Sequence, residues 1–502
     1  MPRRVTPTGQ IPERHAARPL RRAYRRVVLV GLGAALGLAL MMNGAVVAPY
    51  RQIAILALAL PLLLALGVRV RGPATRRALG WAMGCAGAFL LWGLVQAAPL
   101  SHETLPEAIR AALAHPVWEE LAQAGIAAGT YISVAPAQTL AALPILILPF
   151  LVFAAMLVLC QDQKDALFAW KMLAMIGLAL AALAALLETV LAGTQFFSST
   201  ETGRGPFSGI FVNRNVTAAF LTLVACATAG WLMLPEAPRA RGEKRTAGIE
   251  AISPRRFALA ALLFLVVIAL ILTRSRAGVG FGLVALTLGG MGVFLLRPGQ
   301  NRARRLLAAG FAVTLGLAML FLFGEPMLSR LDEGADYRRW CAYVATWQAF
   351  LDRPVMGTGF GTFADVFPRY RDPECMGTRW LWLRAHNSWL ELLAGMGLVG
   401  AVVLIVALGG LIAILRTGLA QRRSLRALPV FSAAALVFMM LHSSVDFPLQ
   451  IPGVALYFAA LAGVGCAVSL LERAPARESR RRRPRDHHHR PREERTAART
   501  AS

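Results

Sequence analysis

Charge is scarce in this chain. Only 16% of its 502 residues are Asp, Glu, Lys or Arg, and 57% are hydrophobic, against roughly 45–50% apolar residues in soluble domains. The charges gather between apolar runs of about 20 residues that carry almost none, whereas a soluble protein would interleave them on helix faces. The runs are also too long and too continuous for barrel strands, which leaves membrane-spanning helices. Other signals are missing too. No His-x-x-x-His, paired-Cys or external Asp-x-Asp pattern marks a metal site. No glycine-rich loop follows a strand to cradle a nucleotide; Gly357-Thr-Gly-Phe-Gly361 follows a helical pattern and is expected to be a turn. No small-residue cleavage site clearly ends the first apolar run, Val27 to Met42, so it is expected to act as a signal anchor. No internal repeat is visible.

What is present is a series of apolar runs at 27–42, 52–68, 78–97, 139–159, 172–192, 215–234, 257–273, 277–296, 306–323, 388–414, 428–441 and 453–471. They predict an all-α integral membrane protein with about twelve transmembrane helices in one domain, residues 27–471. The flanking tails, 1–26 and 472–502, hold eight and eleven Arg. Both are expected in the cytoplasm, setting topology and touching anionic lipid headgroups, the second tail disordered. The net charge of +26 therefore points to membrane lipids as partners and not to nucleic acid. His487-His488-His489 belongs to the same low-complexity end.

Lys and Arg counts set the orientation. With a cytoplasmic N-terminus, the inside loops 69–77, 160–171, 235–256, 297–305 and 415–427 carry four, two, six, four and four, while the short outside loops carry two or fewer. Asp162 and Asp165, beside Lys164, look like part of an inside loop. The exception is the long outside loop 324–387 before span ten, with eight basic residues. Within it Trp340, Tyr343, Val344, Trp347, Phe350 and Leu351 fall at helical spacing before Pro354, which predicts an amphipathic helix at the bilayer surface. A second segment, 103–124, is either interfacial or packed on the bundle. Cys341 and Cys375 are the two cysteines expected outside, where a bridge and two free thiols are both open.

Polar groups cluster on this same external side, where they are costly and hence candidates for function. Arg274 and Arg276 interrupt two spans; Arg338 and Arg339 open the interfacial helix; Arg214 and Asn215 open span six. His386, Asn387 and Glu391 stand where the long loop enters span ten, with Asn387 and Glu391 expected on one helix face at i, i+4, and His442 and Asp446 lie in the turn before span twelve. Any single Arg at a span end can snorkel to headgroups. Several of them with a His, against the positive-inside bias, point to an anionic ligand delivered by the membrane, since Arg binds phosphates bidentately and keeps its charge.

The pieces Gly209-Ile-Phe-Val-Asn-Arg-Asn215, Leu272-Thr-Arg-Ser-Arg-Ala-Gly278, Arg339-Trp340, Arg353-Pro-Val-Met-Gly-Thr-Gly-Phe-Gly361, His386-Asn-Ser-Trp-Leu-Glu391 and Met396-Gly-Leu-Val-Gly400, in that order, resemble the O-antigen ligase and polymerase superfamily of bacterial envelope glycosyltransferases. The resemblance spans roughly 190–470. It implies metal-independent, cofactor-free transfer of a glycan from a polyprenyl-diphosphate carrier, on the periplasmic face of the inner membrane. The acceptor is a lipid A core in ligases and another carrier-linked repeat unit in polymerases. It implies that Arg276, Arg339 (or Arg338 in the alternative register) and His386 are the essential residues. Two Arg can stabilise the leaving diphosphate, and a His can take the acceptor's proton or orient the diphosphate. Arg338, Arg274, Arg214, Asn215, Asn387, Glu391, His442 and Asp446 are expected around them in substrate binding. A twelve-span transporter is the rival from another class, although such carriers lack a late 64-residue external loop.

Overall fold

The structure is a computed structural model. It describes residues 13–101, 103, 105–127, 129–189, 207–211, 213–236, 253–296, 335–372, 374–375, 382–421 and 425–471. Among these residues every regular element is a helix. In chain order they are α1 Glu13–Met41, α2 Ala48–Leu66, α3 Pro73–Ala97, α4 Glu107–Leu113, α5 Val117–Gln123, α6 Pro136–Leu159, α7 Gln163–Thr189, α8 Arg214–Leu232, α9 Pro254–Leu272, α10 Arg276–Leu295, α11 Ala335–Asp352, α12 Phe363–Tyr370, α13 Ser388–Gln421, α14 Ala427–Ser443 and α15 Pro452–Leu470.

The chain is an all-α membrane protein. Among the described residues ten helices are long and apolar enough to cross a bilayer: α1, α2, α3, α6, α7, α8, α9, α10, α13 and α15. The expected span at 428–441 is α14, a shorter helix of 17 residues; the one at 306–323 lies outside the described residues. Helix starts follow local chemistry. Proline stands in the first turn of α2, α3, α6, α9 and α15, where its missing N–H costs nothing. Asn213, Ser253 and Ser275 cap α8, α9 and α10 by accepting from the backbone N–H of Asn215, Arg256 and Gly278.

Two helices form the centre. The apolar windows of α8 and α15 are 89% buried, against 17% for α9 and 22% for α2 and α13. Helix α15 packs on α1, α6, α7, α8, α13 and α14. Its sequence, Pro-Gly-Val-Ala-Leu-Tyr-Phe-Ala-Ala-Leu-Ala-Gly-Val-Gly-Cys, is rich in the small residues that let helix backbones approach in lipid. The less buried helices turn large apolar faces outward, as a lipid-facing rim does.

The two ends of the bundle differ. At one end α1 extends back to Glu13, well before the expected start at 27, and its Arg22, Arg25 and Arg26 meet Asp162 and Asp165 at the start of α7. At the other end the short α14 stops at Ser443, and the turn that follows folds into the bundle, burying Ser443, Asp446 and Gln450. There the long loop is clipped to α13. Backbone bonds run from Thr358 N to Ala394 O (2.9 Å), Gly359 N to Gly395 O (2.9 Å) and Leu398 N to Pro354 O (2.8 Å). The buried Gln96 of α3 donates to Met356 O (2.7 Å) and Gly395 O (2.8 Å). Gly397 has φ +62°, and a Cβ there would run into the Val355 carbonyl oxygen, so this close approach requires glycine. The expected turn at 357–361 is real: all three of its glycines have positive φ.

Candidate functional site

Asp446 is the hub of the candidate site. It sits 3% exposed in the turn after α14, and one of its carboxylate oxygens accepts from Phe447 N (2.9 Å). Three distant parts of the chain converge on it. Asn215, in the first turn of α8, donates its side-chain amide to Asp446 Oδ2. Arg339 of α11 stands 3.9 Å from the same oxygen. His386, just before α13, places Nδ1 3.4 Å from Oδ1, an ion-pair separation rather than a well-aligned hydrogen bond. Burial alone would raise the Asp446 carboxyl. The contact and charge of His386, then the charges of His442 and Arg339, outweigh it and hold the group below the ordinary carboxylate value.

His386 is held from several sides. Its ring lies edge-on to Trp382 (5.4 Å between centroids) and to Phe447 (4.8 Å), and its carbonyl accepts from the Tyr343 hydroxyl (2.9 Å). Its backbone is left-handed at φ +56°, as is that of Arg274 at +51°. For residues with a Cβ this conformation costs about 1–2 kcal/mol, and such strain gathers where surroundings over-determine it, often at functional sites. Glu391 supplies part of that constraint. Buried on α13, it accepts from Arg384 Nη1 (3.0 Å) and from Ala385 N (2.9 Å), bracing the turn that presents His386.

The remaining expected residues take distinct places. Asn387 is not on the α13 face with Glu391; it precedes the helix, and its Oδ1 caps it, accepting from Trp389 N (3.0 Å) and Leu390 N (3.1 Å). Arg276 is the first residue of α10. Arg214 opens α8, and the charges of Arg339, Arg276, Arg274 and Asp446 act on it, so four arginines gather beside this carboxylate. Arg338 is exposed on α11, and it is its neighbour Arg339 that pairs with the hub. His442 is 1% exposed, stacks on Phe438 (5.2 Å) and has no hydrogen-bond partner at either ring nitrogen. Among the described residues no cluster of three or more His, Cys, Asp or Glu side chains is placed to hold a metal.

Several contributors carry no motif of their own. The Ser388 hydroxyl lies 3.2 Å from Asp446 O and 3.1 Å from Gln450 Oε1, joining the start of α13 to the turn. Cys341 and Cys375, left open between bridge and thiols, form a disulfide with Cα atoms 6.2 Å apart, fastening α11 two residues from Arg339. Beyond Ser388 and Gln450 an apolar cavity of about 190 Å³ opens between α3, α6, α13, α14 and α15, walled by Trp81, Phe150, Trp389, Leu411, Met439 and Phe458.

Residues 260–405 match the family model described as O-antigen ligase. The match covers less than a third of the chain and supports its resemblance to the O-antigen ligase and polymerase superfamily. No curated protein matches the chain. The O-antigen ligase segment runs from α9 into α13 and contains Arg274, Arg276, Arg338, Arg339, His386, Asn387 and Glu391. It is shorter than the stretch 190–470 over which the sequence resembles the family. Arg214, Asn215, His442 and Asp446 lie outside the matched residues; the fold brings Asp446 to Arg339 and His386 inside them, and Asn215 to Asp446.

Proposed function

We propose that this protein is an O-antigen ligase-type glycosyltransferase, moving a glycan from a polyprenyl-diphosphate carrier to an acceptor hydroxyl. The observation that carries the reading is the convergence of His386, Arg339 and Asn215 on the buried Asp446, with the charges of Arg214, Arg274 and Arg276 close by. The chemistry follows. The carrier diphosphate lies against Arg276 and Arg339, whose fixed charge stabilises it as it leaves. The acceptor oxygen attacks the anomeric carbon, the bond from that carbon to the diphosphate oxygen breaks, and the hydroxyl proton passes to His386 Nε2. Asp446, facing Nδ1, favours the tautomer with the proton on that nitrogen and leaves Nε2 free to accept. Arg214, Arg274 and Arg338 add positive potential along the approach. Asn387, Glu391 and His442 hold the turn and the floor of the site.

The apolar cavity supports the same reading. It is lined by α13 residues from Ser388 to Leu411 and, at about 190 Å³, suits the first isoprene units of a polyprenyl chain whose diphosphate rests at the Asp446 end. A cluster at the end of the bundle also fits a headgroup-level reaction better than a transporter, whose site belongs near the bilayer midplane. By the positive-inside counts this end faces the periplasm across the bacterial inner membrane. The acceptor is a lipid A core or similar glycolipid.

The test is transfer by purified protein in proteoliposomes. His386→Ala should lose transfer while wild-type protein releases free carrier diphosphate, with chelators changing neither. Transfer by His386→Ala at the wild-type rate would reject the mechanism. In cells lacking the protein, long glycans on the carrier would mark a ligase and single repeat units a polymerase.

A further inference from the structure

Helix α11 has two faces with different surroundings. One face is buried: Cys341, Ala342, Ala345 and Ala349 pack inward, and on that side Arg339 and Tyr343 reach Asp446 and the His386 carbonyl. The opposite face is an unbroken apolar stripe at spacings of three and four residues, formed by Tyr337 (45% exposed), Trp340 (59%), Val344 (40%), Trp347 (44%) and Leu351 (55%). Two tryptophans and a tyrosine exposed in one line are a poor surface for water, and these are the side chains that gather where hydrocarbon meets headgroups.

The stripe does not end with the helix. Val355 extends it, also exposed, and next to Val355 the Pro354 carbonyl accepts from Leu398 N at 2.8 Å. Leu398 begins a second exposed apolar line, with Val402 and Ile405 following at four and three residues along the peripheral spanning helix α13. The outward surface of a spanning helix thus passes through one backbone hydrogen bond onto α11 with no polar break. Whatever solvates that face of α13 solvates the stripe, and for a helix of this length and hydropathy the solvent is lipid.

We infer that α11 is seated in the outer leaflet, with its Tyr337–Leu351 stripe in lipid and its opposite face holding Arg339 at the depth of the headgroups. The partner is the bilayer surface itself. The lipid contact stands by itself; the statement that it sets the height of a catalytic charge rests on the function proposed above. The Cys341–Cys375 bridge secures the inner face, so the helix is fixed between a covalent tie on one side and lipid on the other.

Accessibility of a spin label decides this without any substrate, and so separately from the proposed reaction. The label is attached through p-acetylphenylalanine at Val344, Trp347 or Asp352, leaving the disulfide intact, in nanodiscs of phosphatidylethanolamine and phosphatidylglycerol. At 344 and 347 collisions with oxygen should exceed those with a water-soluble nickel chelate several-fold; at 352, on the exposed polar edge, the order should reverse. Nickel exceeding oxygen at 344 and 347 would put the stripe in water and overturn the inference. Immobilised spectra inaccessible to both reagents would overturn it as well, since a second copy or residues 297–334 of this chain would then cover the stripe. The two stripe positions are independent, so a variant that fails to fold at one leaves the other to decide.

Discussion

The two ends of the bundle both gather arginines, and they use them differently. At the α1–α7 end, three arginines meet two carboxylates. Arg25 lies 2.7 Å from Asp162 and hydrogen-bonds Asp165 through Nε at 2.8 Å, while Arg22 and Arg26 stand 3.3–3.7 Å away. Arg25 and Asp165 are 7% and 0% exposed, so the pair is closed off from solvent and from ligands. At the Asp446 end, four arginines gather around a carboxylate that already serves His386 and Asn215, and Arg339 stays 31% exposed at 3.9 Å. The first arrangement is a clasp between two helices with a buried Arg25–Asp165 pair at its centre. The second leaves positive potential at an accessible surface, as a site for an anionic group must.

The largest expected effect breaks the comparison in activity. Arg276→Ala and Arg339→Ala should each lower transfer by about 10²–10³, as loss of one charge contact to a transition state does, while both proteins still insert and fold. Arg22→Ala, which removes a partly exposed partner of the clasp, should leave turnover per folded molecule unchanged. The measurement is initial rate in proteoliposomes, normalised to folded protein; equal losses in all three variants would erase the distinction.

The next effect breaks it in stability. Asp165→Ala leaves the buried Arg25 with only the partly exposed Asp162, at a cost below the roughly 3–5 kcal/mol of a fully broken buried pair. Thermal unfolding in detergent should show a clear fall, with little change for Arg276→Ala. A clasp that can be cut without loss of melting temperature would be no clasp.

These contrasts were only partly open to sequence reading. Hydropathy located the spans because lipid demands long uncharged helices, and it misplaced the start of α1 because Glu13 to Arg26 continue a helix that is not itself apolar. Asp162 and Asp165 looked like loop charges, since their partners Arg22 and Arg25 stand 137–140 residues away and no periodicity reports such a pairing. At the other end, ordered motifs singled out Arg276, Arg339 and His386, but the central role of Asp446 comes from the short α14 and the turn it leaves. Spacing suggested that Asn387 and Glu391 share a helix face; the helix begins one residue later, so Asn387 caps it and Glu391 braces Arg384.

A smaller effect sharpens the comparison within the Asp446 end, between His386 and the structural His115. His115 is 4% exposed where the α4–α5 hairpin meets the long loop; its Nδ1 accepts from Val117 N (3.2 Å), and nearby Arg353 donates to Leu113 O (2.5 Å). Burial, then the charges of Arg353 and Arg369, push its value down to about 4. The unfolded hairpin, with an ordinary value of about 6.5, therefore binds the extra proton first. Docking is complete above about pH 6.5 and weakens as pH falls toward 4. Hydrogen exchange in α4 and α5 should rise over that window in the wild type and stay flat in His115→Gln. An unchanged acid response in that variant would assign it to another group.

The central claim is that the Asp446 end binds a diphosphate and the α1–α7 end does not. Its most direct measurement is calorimetric titration of inorganic pyrophosphate into purified protein in detergent, with Arg339→Ala, Arg276→Ala and Arg22→Ala alongside. Wild-type and Arg22→Ala protein should bind with the same affinity, and the two Asp446-end variants should lose at least tenfold. Pyrophosphate binding that survives both Arg276→Ala and Arg339→Ala, or that disappears with Arg22→Ala, would contradict the account.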